Sequence, residues 1–337
     1  MNYNDYTFGL EIEFRGANTQ VVTDTLNAAL NSDGINFQLQ GYNHTTPRGF
    51  WKITTDATVS RNYSFTTGIG NGGELVSPPL TGLAGLSEVK KVIEVLNTIN
   101  TLYIDVKCGL HVHLSWGNME VETIKNVVHR YAQYENEIDG WMPRSRRGNN
   151  SNWCASTVGR FSSALASYDG NSLISLASRS LGRFYKVNVK PLKTYGTIEF
   201  RQHSGSTDYD KISNWIKFLM AFVEASKGAT QGATTNYRRK RKVAYGEIRE
   251  QVAKKGWDLR YAGSQYKLFD SSGNLIECIS FDDMEAMYVD PTRTRELSQN
   301  FIDWFTRHFG NDVDTLFKGV DSSVQQFLID RTQLLAS

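Results

Sequence analysis

Cysteine is scarce in this sequence: Cys108, Cys154 and Cys278 stand far apart and form no Cys-x-x-Cys pair. That excludes a disulfide framework and a cysteine-based structural zinc site, and it points to a reducing, cytoplasmic setting. Long apolar runs are absent too. No stretch approaches the roughly 18 residues of a membrane span, and the polar start Met1-Asn2-Tyr3-Asn4-Asp5-Tyr6 does not read as a signal peptide. No membrane partner is expected. Nor does one charge dominate, since 37 Lys and Arg face 35 Asp and Glu. A surface built throughout for polynucleotide or anionic lipid is thereby excluded. Internal repeats, low-complexity tracts and a nucleophile elbow with Ser-His-Asp partners are also missing. The Gly-rich run 68–73 leads into Glu74 and lacks the Gly-Lys-Ser/Thr ending of a phosphate-binding loop.

What is there is enough for a sizeable core: 40% hydrophobic and 12% aromatic residues in 337, one large or two modest domains. Residues 6–14 alternate apolar and polar with period two and predict a strand. Helical spacing follows across 19–31, then short strands at 35–39, 50–54 and 74–77, the last stopped by Pro78-Pro79. Helices are predicted over 83–102, 121–138 and 208–227, and strands over 110–116, 183–190 and 196–203. Residues 144–171, rich in Arg, Asn, Ser and Gly, read as a long surface excursion, and His129 and Glu135 as a solvated helix face. Strands and helices interleave without a βαβ rhythm, which favours an α+β fold. The small polar stretch 227–236 reads as a linker and ends in the basic run 238–242. The predicted organisation is a domain over 1–228, a basic linker over 229–243, and a smaller, mostly helical C-terminal module over 244–337. That module holds helices at 244–255, 292–308 and 313–335 and a hairpin around Ser271-Ser272-Gly273-Asn274.

Residues two apart in a strand share a face and lie roughly 6.6–7 Å apart. In the first strand Phe8, Leu10, Ile12 and Phe14 point one way, and Gly9, Glu11 and Glu13 the other. In 110–116 the apolar face carries Leu110, Val112, Leu114 and Trp116, opposed by His111, His113 and Ser115. In 197–203 Ile198 and Phe200 oppose Thr197, Glu199, Arg201 and His203. Each alone is a half-exposed antiparallel strand. Together their polar faces hold groups that bind metal or phosphate, whereas Glu is depleted at ordinary strand positions. Carboxylates crowded on one sheet repel unless protonated or neutralised by cations. Oxygen-rich sites of this kind suit Mg²⁺ or Mn²⁺, with an imidazole tilting the choice modestly towards manganese.

The segment Phe8-Gly9-Leu10-Glu11-Ile12-Glu13-Phe14 resembles the opening motif of the phage and bacterial amidoligases, relatives of glutamate–cysteine ligase and glutamine synthetase. Further segments resemble the family in the same order: Trp51-Lys52-Ile53-Thr54-Thr55-Asp56, Glu74-Leu75-Val76-Ser77-Pro78-Pro79, and Cys108-Gly109-Leu110-His111-Val112-His113. Arg183-Phe184-Tyr185-Lys186-Val187-Asn188 and Gly196-Thr197-Ile198-Glu199-Phe200-Arg201 complete the series. Thr58 departs from the serine common after Asp56, and nothing beyond about 228 has a counterpart. The resemblance implies a curved antiparallel sheet, a glutamine synthetase-like half-barrel with flanking helices, which holds ATP and divalent ions on its concave face. It implies a ligase that phosphorylates a carboxylate on an amino acid or peptide and passes the acyl group to an amine. By that pattern Glu11, Glu13, Asp56, Glu74, His111 and Glu199 are the expected metal ligands. Arg201, Glu199 and His113 are the expected catalytic residues. Arg201 and His113 are also expected on the ATP phosphates, with Ser115, Arg183 and Asn188 in the same region.

Two other readings stay open on the sequence. The basic run Arg238-Arg239-Lys240-Arg241-Lys242, with Tyr237, Tyr245 and Trp257 nearby, has the composition to grip a nucleic acid, though charge blocks also serve as solvated linkers. A catalytically inactive scaffold that uses the C-terminal module is the second.

Overall fold

The period-two segments become the strands of one sheet because each has an apolar face that must leave water. The computed structural model describes residues 2–159, 164–165, 167–180, 182–227, 253, 256, 258–262, 265–279 and 316–336. Eight strands form the sheet: β1 (Tyr6–Asn18), β2 (Phe37–Leu39), β3 (Trp51–Thr54), β4 (Asn71–Val76), β5 (Leu80–Thr81), β6 (Leu110–Trp116), β7 (Val187–Asn188) and β8 (Ile198–Phe200). Their order is β2-β3-β4-β1-β6-β8-β7, with β5 also against β1, and the sheet does not close on itself. β2 and β3 are parallel and every other pairing in the sheet is antiparallel.

Register puts the apolar positions on one face. Leu10 meets Val112, Ile12 meets Leu110 and Leu75, and Ile198 meets Leu114. All of these are buried. They pack under α1 (Thr19–Leu30), α2 (Gly82–Leu96) and the helix Tyr209–Glu224, whose apolar residues recur at helical spacing: Val22 and Leu26; Leu86, Val89 and Ile93; Ile212, Ile216 and Leu219. Burial of one such side chain is worth about 1.5–3 kcal/mol. Local signals set the helix starts. The side chain of Asn18 accepts from Gln20 N, and that of Asp208 from Asp210 N and Lys211 N. The stretch predicted as one helix over 121–138 is two, α3 (Val121–Gln133) and α4 (Glu135–Gly140). The strand predicted over 183–190 shrinks to Val187–Asn188. No helix among the described residues is long and apolar enough to cross a membrane.

The chain divides into two compact units, residues 1–231 with 314–335, and residues 232–313 with 336–337. Residues 314–335, which hold nearly all of the last helix, Ser322–Ala336, thus group with the sheet and not with residues 232–313. Its Arg331 meets His203 at 2.9 Å, and Phe317 stacks on Trp141 with ring centroids 5.8 Å apart. The second unit carries a three-stranded antiparallel sheet: β9 (Asp258–Ala262), β10 (Gln265–Phe269) and β11 (Leu275–Ile279). At the β10–β11 turn Asp270 Oδ1 accepts from Ser272 N and Asn274 N. The basic run 238–242 and the helix predicted over 292–308 lie outside the described residues, as does nearly all of the one over 244–255.

One glycine sets the shape of the sheet beside its polar face. Between Phe14 and Asn18 the β1–β4 register shifts, and Gly72 there has φ +93°. A Cβ at Gly72 would stand 2.9 Å from the Val59 carbonyl oxygen and 3.0 Å from that of Phe14. Gly72→Ala is expected to lose about 1–3 kcal/mol of stability through combined strain and crowding, read from the denaturant midpoint; an unchanged midpoint would show that β4 reaches Glu74 without this kink.

Candidate functional site

The register that buries the apolar face also gathers the polar one. Directly opposed residues of an antiparallel pair project to the same side. Glu13 opposes Glu74, Glu11 opposes both His111 and Val76, and Glu74 opposes Thr54. His113 opposes Gly9 and Glu199, and Glu199 opposes Asn188. Five strands thus contribute to one field of carboxylates, imidazoles and an amide.

The side chains close on one another within that field. His111 Nδ1 lies 2.9 Å from Glu11 Oε2 and 3.7 Å from Glu199 Oε1, and its Nε2 lies 4.0 Å from Glu13 Oε1. His113 Nε2 is 3.2 Å from Glu11 Oε1, while its Nδ1 is 2.9 Å from Thr197 Oγ1. Asn188 Nδ2 donates to Glu199 Oε2 at 2.6 Å, and Arg201 Nη1 donates to Glu199 Oε1. Glu13 Oε2 accepts from Gly109 N at 2.6 Å. A side chain at Gly109 would put its Cβ 2.9 Å from His111 Nε2, so the glycine before the His-x-His strand makes room for the ring.

Electrostatics follow from this crowding. Burial alone raises the Glu11 carboxyl, but its bonds to His111 and His113 hold it well below the usual carboxylate range. Glu74 has no such partners. Burial and the charges of Glu11, Glu13 and Asp56 push it well above that range. Burial opposes the His113 imidazolium, yet its bond to Glu11 and the charges of Glu11 and Glu199 raise it overall.

One atom each from Glu11, His111 and Glu199 fall within 4.8 Å of one another, a spacing that one cation can span. Two carboxylates and an imidazole fit Mg²⁺ or Mn²⁺, and Glu74, raised first by burial and then by the charges of Glu11, Glu13 and Asp56, belongs to the same field. The buried Thr54 Oγ1, opposite Glu74, has no hydrogen-bond partner. Other predicted residues stand farther out. Asp56 Oδ1 accepts from Thr58 N at 2.6 Å, so this carboxylate caps its own turn while its charge reaches Glu74. Ser115 shares the polar face, opposite Thr7. Arg183 is exposed, with its guanidinium 5.0 Å over the Phe184 ring.

Four features were not expected from the sequence. Lys186, 0% exposed, pairs with Asp139 at 2.6 Å and Glu135 at 3.1 Å, so Glu135 is a buried ion-pair partner and not part of a solvated face. This pair ties residues 139–157 to β7: Thr157 N and Oγ1 donate to Glu135, and Gly148 N to Asp139. Residues 144–157 of the stretch read as a surface excursion are therefore pinned. Buried Arg146 donates to the Cys108 carbonyl at 2.6 Å, and the Trp153 carbonyl accepts from Arg201 Nε at 3.3 Å. Lys52, also buried, donates to the carbonyls of Asn43 and Thr45. Tyr195 stands nearly perpendicular to the His113 ring, centroids 6.2 Å apart.

Residues 4–223 match the family model described as "Putative amidoligase enzyme". No curated protein matches the chain.

Two outcomes are expected. Because the folded pKa of Glu74 is raised, its contribution favours the fold below the unfolded value and turns into a penalty as pH rises through the folded value. Without divalent cations, Glu74→Gln should melt above the parent protein at pH 8 and converge with it near pH 4, about the ordinary glutamate value; equal midpoints at pH 8 would contradict the assigned crowding. Lys186→Met leaves two buried carboxylates unpaired and should cost about 3–5 kcal/mol in chemical denaturation; a loss under 1 kcal/mol would show that the pair is not desolvated.

Proposed function

Since the chain belongs to the amidoligase family, we propose that it is an ATP- and Mg²⁺-dependent ligase that joins the carboxylate of an amino acid or peptide to an amine through an acyl phosphate. A glutamine synthetase-like half-barrel and a cytoplasmic setting are part of the same proposal. The observation that carries it is the convergence of Glu11, His111 and Glu199 on one face, with Arg201 bound to Glu199 beside them.

The chemistry sets the demands. Transfer of a γ-phosphoryl group to a carboxylate brings two anions together, and a bound divalent ion lowers that repulsion. Glu11, His111 and Glu199 would hold such an ion, with Glu13 and Glu74 alongside. Arg201 would grip the phosphoryl group in flight. Its planar fork suits two oxygens at once, and Glu199 and the Trp153 carbonyl set its direction. His113, held by Glu11 and Thr197, offers a donor in the same region, and Asn188 fixes Glu199 from the other side. In the second half-reaction the amine nitrogen attacks the acyl carbon, the C–O bond to phosphate breaks, and the nitrogen loses a proton as amide and phosphate depart. The carboxylates that surround this position disfavour a free anion and favour an incoming amine.

The test is a screen of amino acids and short peptides for phosphate release from ATP, with hydroxylamine added to trap acyl phosphate as a hydroxamate that mass spectrometry identifies. Arg201→Lys is expected to lower turnover by about 10²–10³-fold, the usual cost of one aimed donor, while Mn²⁺ affinity stays within twofold. Normal turnover by that variant, or no hydroxamate with any acid, would count against the reading.

A further inference from the structure

Large aromatic side chains normally lose most of their surface on folding, yet Tyr42, Tyr63, Phe65 and Tyr195 stay 37–48% exposed. They are not scattered. Tyr63 and Phe65 lie with ring centroids 4.8 Å apart, Phe65 and Tyr42 5.6 Å, and Tyr42 and His44 5.2 Å. From the other side Tyr195 donates its hydroxyl to the His44 carbonyl and stands nearly perpendicular to the ring of His113, the imidazole bonded to Glu11. The ring cluster of Tyr63, Phe65, Tyr42 and His44 is therefore joined through one backbone hydrogen bond to Tyr195, which stands beside the His113–Glu11 pair. Together they join the loop after β2, the loop before β4 and the turn before β8.

The rim is held in place from below. Tyr42 N donates to the Phe65 carbonyl at 2.7 Å, which ties the two loops together. Lys52 pairs with Val76 and so shares the face of Glu11, and its ammonium donates to the Asn43 carbonyl at 3.1 Å and the Thr45 carbonyl at 3.0 Å. The lysine beneath the rim thus holds the loop, while its charge also reaches Glu74 and Glu11. The two remaining cations of these loops, Arg48 and Arg61, are exposed.

This divides the site by charge. Arg201, just past the end of β8, suits phosphate oxygens. The rim presents aromatic rings, among which Tyr195 stands in the field of Glu11, Glu199 and Glu74, and rings and carboxylates both attract a cation, most strongly where water is partly excluded. We propose that the rim of Tyr42, Phe65 and Tyr195 is the docking site of the amine substrate, which it takes as an organic ammonium on an apolar stem. The proposal rests on the ligase reading for its purpose. The rings hold the stem and the cationic head before a proton is lost and the nitrogen attacks.

The probe is n-butylammonium, titrated by nuclear magnetic resonance against the full chain without ATP, with n-butanol as its uncharged counterpart. Butylammonium should bind more tightly than butanol, and its affinity should fall at least fivefold in the double variant Tyr42→Leu/Phe65→Leu. Mn²⁺ affinity, unchanged in that variant, serves as the check on folding. Arg201→Lys should leave butylammonium affinity within twofold. Equal affinity in the double variant, or butanol binding as tightly as butylammonium, overturns the proposal. Because the readout needs no turnover, rim binding without phosphate release would fault the ligase reading alone, and turnover without rim binding would fault this one.

Discussion

Like charges brought together on one face of a sheet are the constraint around which this molecule is arranged. Register leaves Glu11, Glu13, Glu74 and Glu199 no other place to go, because the same alternation that buries Leu10, Ile12 and Leu75 turns the carboxylates the opposite way. The protein offsets part of the repulsion itself. Two imidazoles bracket Glu11, while Arg201 and Asn188 share Glu199. Glu74 has neither imidazole nor guanidinium bonded to it, and burial together with the charges of Glu11, Glu13 and Asp56 raises its carboxyl. The proposed cation would relieve this crowding beside the buried, unpartnered hydroxyl of Thr54.

Precision at the site depends on parts that carry no chemistry of their own. Arg201 can point in many directions, and two anchors fix it, Glu199 in the same strand region and the Trp153 carbonyl from residues 139–157. That segment in turn is held by the buried Lys186 with Asp139 and Glu135, and Lys186 contributes its carbonyl to Arg201 N. A buried ion pair is a poor source of net stability but a strong determinant of geometry, since breaking it strands a charge. On the other flank Lys52 does the same for the loop that carries Tyr42 and His44.

Much of the central sheet was legible because its signal is local. Period-two alternation in 6–14 and 110–116 named the faces of β1 and β6 correctly, and the family match over 4–223 agrees with the motifs read from 8 to 201. What alternation cannot supply is partnership. That Glu13 stands opposite Glu74 while Glu11 meets His111 depends on strand order and register, which are long-range properties. The sequence put Glu135 on a solvated face because a lone acid on an amphipathic helix usually is; its partner Lys186 lies 51 positions away. Asp56 illustrates the reverse case. Its type and motif pointed to metal, and the structure has its carboxylate capping a turn as well. Exposed tyrosines in Gly-rich and Asn-rich loops carried no pattern, so the rim emerged only when the rings were seen together.

The claim that one sheet face assembles a cation-binding basin is tested most directly by calorimetric titration of Mn²⁺ into the parent protein and Glu11→Gln. Glu11 touches both imidazoles, and its replacement keeps its size and one of the two acceptor oxygens while it removes one negative charge. The account predicts saturable binding by the parent and at least tenfold weaker binding by the variant, with the fold intact by circular dichroism. Equal affinities in the two proteins, or no binding by the parent, would contradict it.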